Sequence, residues 1–202
     1  MSKTIVGDDE AQRCLWSGGA PEFLSYHDTQ WGFPVKDDHQ LFETLCLESF
    51  QSGLSWRTIL AKRDNFRAAF CGFDFDQIAE FGDQDRGRLL NDAGIVRHRG
   101  KIDAVINNAK RAQELVKDVG SLAAFFWRYE VPVEHLAAPQ TASTSDQSVA
   151  LAKDLKKRGW KFVGPTTVYA FMQAMGLIND HTEGCVIRTQ VSQARAHFVK
   201  PV

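Results

Sequence analysis

The sequence predicts an all-α protein, because apolar residues recur at helical spacing in three separate stretches and strand-type alternation is nowhere sustained. Capping residues and glycines at the ends of those stretches support the same assignment.

Asp37 can cap the first helix, with Gln40 three residues on, and Leu41, Phe42, Leu45, Cys46 and Phe50 supply its apolar arc. A second helix follows the break at Gly53. Its apolar positions are Trp56, Ile59, Leu60, Phe66 and Phe70, with Arg57, Lys62, Arg63 and Arg67 along its flank. After Gly100 the pattern returns in Ile102, Val105, Ile106, Ala109, Ala112 and Val116. Further helices are expected near 83–92, 121–130 and 146–158, with Ser121 and Ser145 as N-caps and Gly159 as the stop of the last. The stretch 131–144, with Pro132, Pro139 and a Ser/Thr cluster, reads as a long exposed connection. Residues 1–12 and 188–202 carry no convincing pattern and are expected to be poorly ordered tails on a domain at 13–187.

A chain of 202 residues can bury a sizeable core, as one domain or as two small lobes. No apolar run approaches the roughly 18 residues that a membrane span needs. The first nine residues have neither the basic segment nor the apolar core of a secretory signal, so a reducing cytoplasmic setting is expected. Cys14, Cys46, Cys71 and Cys185 are too irregularly spaced for a disulfide framework, and are expected as thiols or ligands. Cys46 and Cys71 stand among Leu45, Leu47, Phe70 and Phe73 and read as small buried thiols. A formal net charge of −1 excludes a globally basic nucleic-acid binder, so any DNA contact must come from a local patch.

Three constellations carry chemistry. Cys14 precedes His27 by thirteen positions and His181 precedes Cys185 by four, and the two pairs together make the Cys₂His₂ donor set of a closed tetrahedral zinc site. Spacing alone leaves open that the four residues are unrelated. A helix ending at Gly159, the loop 160–163, and a new helix opened by Gly164-Pro165-Thr166 form a helical hairpin, with Pro165 suited to the first helical position. Its glycines permit close approach, the free N–H groups of the following helix favour an anion, and Lys156, Lys157, Arg158 and Lys161 surround it. The alternative is a plain hairpin with a solvated lysine face. Third, Glu48 falls beside Leu41 and Leu45 at the edge of an apolar face, where an ionised carboxylate needs a partner or a ligand unless it turns outward. Trp16, Phe23, Tyr26 and Trp31 offer stacking surfaces, or simply core.

These pieces together resemble the 3-methyladenine DNA glycosylase I family, a divergent branch of the helix-hairpin-helix glycosylases. The resemblance runs over roughly residues 13–185. It rests on Arg13-Cys14-Leu15-Trp16, Tyr26-His27-Asp28, Trp31-Gly32, Cys46-Leu47-Glu48 and Gly53-Leu54-Ser55-Trp56. It continues in the segments 94–102 (GIVRHRGKI) and 156–164 (KKRGWKFVG) and in Asn179-Asp180-His181. It implies a helix-hairpin-helix glycosylase fold in which one structural zinc ion, held by Cys14, His27, His181 and Cys185, joins the N- and C-terminal segments. It further implies excision of 3-methyladenine from alkylated double-stranded DNA by a monomer, with the free base as product. Glu48 and Tyr26 would serve the catalytic step, Glu48 accepting hydrogen bonds from the flipped base. Trp16, Phe23, Tyr26 and Trp56 would wall the base pocket. Gln51, Gly53 and Leu54 would fill the gap left in the duplex, and Gly159, Lys161, Gly164 and Thr166 would hold the phosphate backbone.

Two departures stand out: Phe23 occupies a position where the family suggests a tyrosine, and Ser49-Phe50 replaces an expected Gly-Gln. Asp180 lies near the place of the superfamily's catalytic aspartate, and its role here reads as displaced or structural. Competing readings are a non-catalytic DNA-structure binder that has lost its pocket, and a zinc hydrolase, which four protein ligands would disfavour.

Overall fold

The computed structural model describes residues 3–201. Two short antiparallel strands, β1 (Thr4–Val6) and β2 (Gln12–Cys14), open the chain, with Thr4 paired to Cys14. Eleven α-helices follow among the described residues: α1 Pro21–Thr29, α2 Asp38–Gln51, α3 Trp56–Ala61, α4 Arg63–Ala69, α5 Phe75–Ala79, α6 Asp83–Asn91, α7 Arg99–Val119, α8 Leu122–Phe126, α9 Asp146–Lys157, α10 Pro165–Ala174 and α11 Val186–His197.

The expected all-α class holds, and the strongest sequence patterns mark its centre. Every residue of α2 from Leu41 to Phe50 is buried, because α3, α7, α8 and α10 all pack against it. A helix covered on all sides needs apolar residues all round. Its polar members must therefore find partners inside the protein. Glu43 receives two hydrogen bonds from Arg67 at 2.9 and 3.1 Å, and Ser49 donates to the Leu45 and Phe162 carbonyls at 2.8 and 3.1 Å. Phe50 packs against Phe66 with ring centroids 4.7 Å apart. The Ser49-Phe50 pair thus serves a hairpin contact and the core.

The caps behave as expected. Asp37, Ser121 and Ser145 accept from Gln40, Ala124 and Ser148 backbone N–H groups, and Gly159 follows the end of α9 at φ +83°. Asp38 adds a cap in trans: its two carboxylate oxygens accept from the N–H groups of Leu122 and Ala123 at 3.0 and 2.8 Å, docking α8 onto the start of α2.

Five expectations are corrected. The helix expected across 56–70 breaks at Lys62, whose amine reaches away to the Ala93 and Gly94 carbonyls at 3.1 Å. The one expected at 121–130 ends at Phe126 and tightens into a 3-10 turn, Trp127–Tyr129. Cys71 is exposed, in a turn at φ +51° after Phe70. Residues 4–6 pair with β2 instead of standing free, and residues 188–197 belong to α11, which buries a narrow Ile187/Val191 stripe. Residues 1, 2 and 202 of the expected tails lie outside the described residues.

Asp38→Ala leaves two N–H groups of α8 without their partner and is expected to lower stability by about 2 kcal/mol, since bonds to a charged group contribute roughly 1.5–3 kcal/mol. Urea denaturation at neutral pH measures it, and an unchanged midpoint would remove Asp38 from the account.

Candidate active site

Two neighbouring features form the site. The first joins the ends of the chain. Cys14 ends β2, His27 lies in the last turn of α1, His181 follows α10 and Cys185 caps α11. All four are buried, and their ligand atoms lie within 4.8 Å of one another, so the group could hold a metal ion. Cys14 Sγ and Cys185 Sγ stand 3.7 and 3.6 Å from His181 Nδ1, Cys185 Sγ stands 3.6 Å from His27 Nε2, and the two imidazole nitrogens are 3.2 Å apart.

Each ring nitrogen facing away from the group is engaged. His27 Nδ1 meets Asp28 Oδ1 at 2.7 Å, and His181 Nε2 meets the Trp31 carbonyl at 3.0 Å. These contacts fix which nitrogen faces the centre, the usual arrangement behind metal-bound imidazoles. Arg13 in turn grips Asp28 at 2.9 and 3.1 Å. Thr182 donates to Cys14 Sγ from both its N–H and its hydroxyl at 3.4 Å. Contact with Cys14, then with the imidazoles, lowers Cys185, while contact with Cys185 and burial raise Cys14. Gly32 is needed for closeness, because a Cβ there would stand 3.0 Å from His181 Nε2.

The second feature is a cavity of about 270 Å³ lined by Trp16, Phe23, Tyr26, Trp31, Glu48, Gln51, Trp56, Ala170 and Gln173. Its size falls just below the roughly 300–1,000 Å³ of pockets for drug-sized ligands and suits a small flat ring. Trp16 is the pivot of the wall. It meets Phe23 edge-on at 5.8 Å, Tyr26 at 6.3 Å, and His27 and Trp31 at 5.2 and 5.1 Å. Trp31 packs on His181 at 4.6 Å. Tyr26 leans on Trp56 at 5.5 Å. The aromatic wall and the Cys/His group are therefore one packed unit.

Glu48 enters from α2. It is 5% exposed, and its Oε2 has no hydrogen-bond partner, nor has the buried indole N–H of Trp56. Burial pushes the Glu48 carboxyl up to about 8. Among the described residues no cation pairs with it, contrary to the ordinary requirement for a buried carboxylate. A larger cavity of about 490 Å³ lies between Val131–Ala137 and the start of α9, but none of the unpartnered buried polar atoms lines it.

The other sequence candidates lie around this pair. Gln51 lines the cavity, and Gly53 and Leu54 form the exposed turn beyond it. The hairpin backbone is held by Asn108, which accepts from the Lys161 N–H at 2.8 Å and donates to the Lys161 carbonyl at 2.9 Å. Lys156, Lys157, Lys161 and Thr166 are exposed, whereas Arg158 is paired with Asp118 and Asp154. A Cβ at Gly164 would meet nothing within 4 Å, so the space before the α10 N-terminus is open. Asp180 does not line the cavity: it is buried and accepts from the Gln140 N–H at 2.9 Å and from Gln173 at 2.6 Å. Gln173 is not among the sequence candidates; Trp31, offered there as a stacking surface or core, does line the cavity, and its place between the wall and His181 arises only from the tertiary fold.

The chain matches the family model for methyladenine glycosylase over residues 16–189. It is 45% identical over 181 residues to DNA-3-methyladenine glycosylase 1 of Escherichia coli (strain K12), covering 86% of this chain and 95% of that protein. A crystal structure of a 3-methyladenine DNA glycosylase I superposes with a TM-score of 0.82 at 46% identity, over 87% of this chain and 98% of the other. The enzyme of that name from Staphylococcus aureus, described for its recognition of 3-methyladenine, gives 0.81 at 37% identity, over 87% and 96%. With the family model matching residues 16–189, which hold the aromatic cavity and its carboxyl, and with a relative 45% identical over most of both chains, the chain belongs to the methyladenine glycosylase family.

Proposed function

We propose that the protein is a DNA-3-methyladenine glycosylase, which hydrolyses the N-glycosidic bond of 3-methyladenine in alkylated double-stranded DNA. The observation that carries this reading is the unpartnered, buried Glu48 carboxyl in a cavity walled by Trp16, Phe23, Tyr26 and Trp56. Methylation at N3 leaves the nucleoside cationic. The bond from base to C1′ breaks with its electron pair going to the base, which departs neutral, while water adds its oxygen to C1′ and releases a proton. Little acid catalysis is needed, so the protein's main task is selection. A cationic, electron-poor ring supplies the charge and donors that Glu48 lacks and stacks well on indole. Undamaged adenine offers no such charge, and a lesion also costs less to unstack.

The high pKa adds a step. In the free cavity Glu48 holds its proton at neutral pH, and entry of the cationic base drives it to ionise, its proton passing to solvent, with the phenol of Tyr26 alongside. Gln51, Gly53 and Leu54 act as the wedge that fills the emptied place in the duplex. The hairpin, read as helix-hairpin-helix, holds phosphates through the free N–H groups at Gly164 and Thr166 and through Lys161. The enzyme works as a cytoplasmic monomer in two helical lobes, with β1 and α11 part of the folded unit. No helix among the described residues is long and apolar enough to cross a membrane.

The Cys/His group fits one structural zinc ion. Zinc bonds of about 2.3 Å to sulfur and about 2.0–2.1 Å to nitrogen place tetrahedral S···N edges near 3.6 Å and the N···N edge near 3.3 Å, against 3.6–3.7 Å for three of the four S···N edges and 3.2 Å for the N···N edge, with every ligand atom within 4.8 Å of the others. With all four positions taken by Cys14, His27, His181 and Cys185, zinc supplies cross-linking here and no activated water. Freshly purified protein is expected to carry one zinc per chain by elemental analysis, and Cys14→Ser to lower the melting temperature. Protein without stoichiometric metal, or a variant that melts like the parent, would argue against the site.

Glu48→Gln keeps the shape but removes the charge. Its loss of one charged hydrogen bond should slow single-turnover excision and weaken free 3-methyladenine binding by roughly ten- to a hundredfold, with duplex affinity nearly intact. Unchanged excision and base binding would show that the pocket is wrongly placed.

The same variant carries a pH signature. Glu48 has an ordinary value of 4.5 and a folded value of about 8. The folded state therefore holds the extra proton, and stability present below about pH 4.5 is lost as pH rises through 8. The full shift corresponds to at most about 5 kcal/mol. Glu48→Gln is expected to melt increasingly above the parent between about pH 5 and pH 8, and a constant difference across that range would contradict the burial of an uncompensated carboxyl.

A further inference from the structure

Lys101 sits in the first turn of α7, 6% exposed, and makes no ion pair among the described residues. Its ammonium donates to the Phe50 carbonyl at 2.7 Å and to the Ser52 carbonyl at 2.6 Å. Burial lowers its pKa, so keeping the charge there is costly. The carbonyls at the C-terminal end of α2 are the negative end of that helix and offset part of the cost. Those two carbonyls flank Gln51, a lining residue of the base cavity one turn beyond Glu48.

The chain after α2 is a tight turn. Leu54 N–H donates to the Gln51 carbonyl at 2.6 Å, Ser52 lies at φ −49°, ψ 112° and Gly53 at φ +82°. That is a type II turn, whose third position needs the positive φ that glycine supplies. Leu54 is 41% exposed at its end. A short exposed turn with an apolar tip has few contacts of its own to fix its direction. The lysine bridges to it from a helix 49 to 51 residues away.

We propose that Lys101 is a positioning residue for base excision: by tying the Phe50 and Ser52 carbonyls to α7, it fixes the turn that follows α2 and aims Leu54 into the duplex gap. This rests on the reading of Gln51, Gly53 and Leu54 as the wedge. Lys101 acts through that turn and touches neither base nor sugar. Its loss therefore weakens the step in which the lesion leaves the stack, and spares the pocket that receives it.

The test compares Lys101→Met, Leu54→Ala and the double variant with the parent, in single-turnover excision from methylated duplex and in binding of free 3-methyladenine. Lys101→Met is expected to slow duplex excision roughly tenfold or more, the scale of one lost charged hydrogen bond, while base affinity stays within about twofold. The double variant should be no slower than the worse single one, because both changes disable the same turn. A purely structural lysine would instead give multiplied losses and lower base affinity in proportion, and either result overturns the proposal. So does parental excision by Lys101→Met when Leu54→Ala is impaired. If Leu54→Ala itself excises at the parental rate, the wedge reading fails and takes this role with it. Lys101→Gln, judged by the same criteria, replaces Lys101→Met if the latter melts below the assay temperature.

Discussion

The buried contact among Cys14, His27, His181 and Cys185 is the constraint on which the rest of the site depends. Four separate segments converge there, from β2 to the start of α11. The apolar cluster around the group is small, consisting of Cys14, Cys185, Ile187 and Val191 with Trp16, Trp31 and Phe33 packed on it. A cluster of that size cannot fix the N-terminal segment by burial alone. The imidazoles are also packing surfaces: Trp16 stands on His27 and Trp31 on His181, so the geometry of the group passes directly into the cavity wall.

Opposite that wall stands a side chain that folding alone would not choose. α2 is surrounded by other helices, and its buried Glu43 and Ser49 are satisfied within the protein. Glu48 is not, although it lies on the same helix. An uncompensated carboxyl at such a position lowers stability and is tolerated where it meets a ligand that completes it. In the proposed function the division of labour is physical: the large core supplies the stability that the cavity gives up, and the cavity would supply selectivity for an electron-poor base. The same helix carries Glu48 and leads into the turn at Ser52–Leu54, so in that reading its rigidity would serve both.

Much of this was legible in the sequence, and the remainder was hidden for identifiable reasons. The arcs of α2 and α7 and the caps at Asp37, Ser121 and Ser145 are local signals, and local chemistry decided them. α1 was missed because only Tyr26 and His27 of its residues are buried, too few for a visible stripe, and α11 because Ile187 and Val191 are its only buried positions. The break at Lys62 depends on carbonyls near residue 94, and the exposure of Cys71 on a left-handed turn, neither of which periodicity encodes. The donor set of the Cys/His group could be read from residue types, but its closure is a fact of tertiary structure. Glu48 was recognisable as an expensive carboxylate, yet the absence of any protein partner could be established only in three dimensions. Lys101 belongs to the most opaque class, a buried charge whose partners are main-chain carbonyls and so leave no trace in side-chain spacing.

The central claim is that metal at the Cys/His group holds the aromatic wall in shape for the base. It is tested most directly by titrating free 3-methyladenine into protein before and after stepwise removal of metal with a chelator, with far-UV circular dichroism followed in the same samples. The account predicts that base affinity falls at least about tenfold while most helical signal, which comes from the core around α2, α7 and α10, persists. Unaltered base affinity in folded, metal-free protein would contradict it.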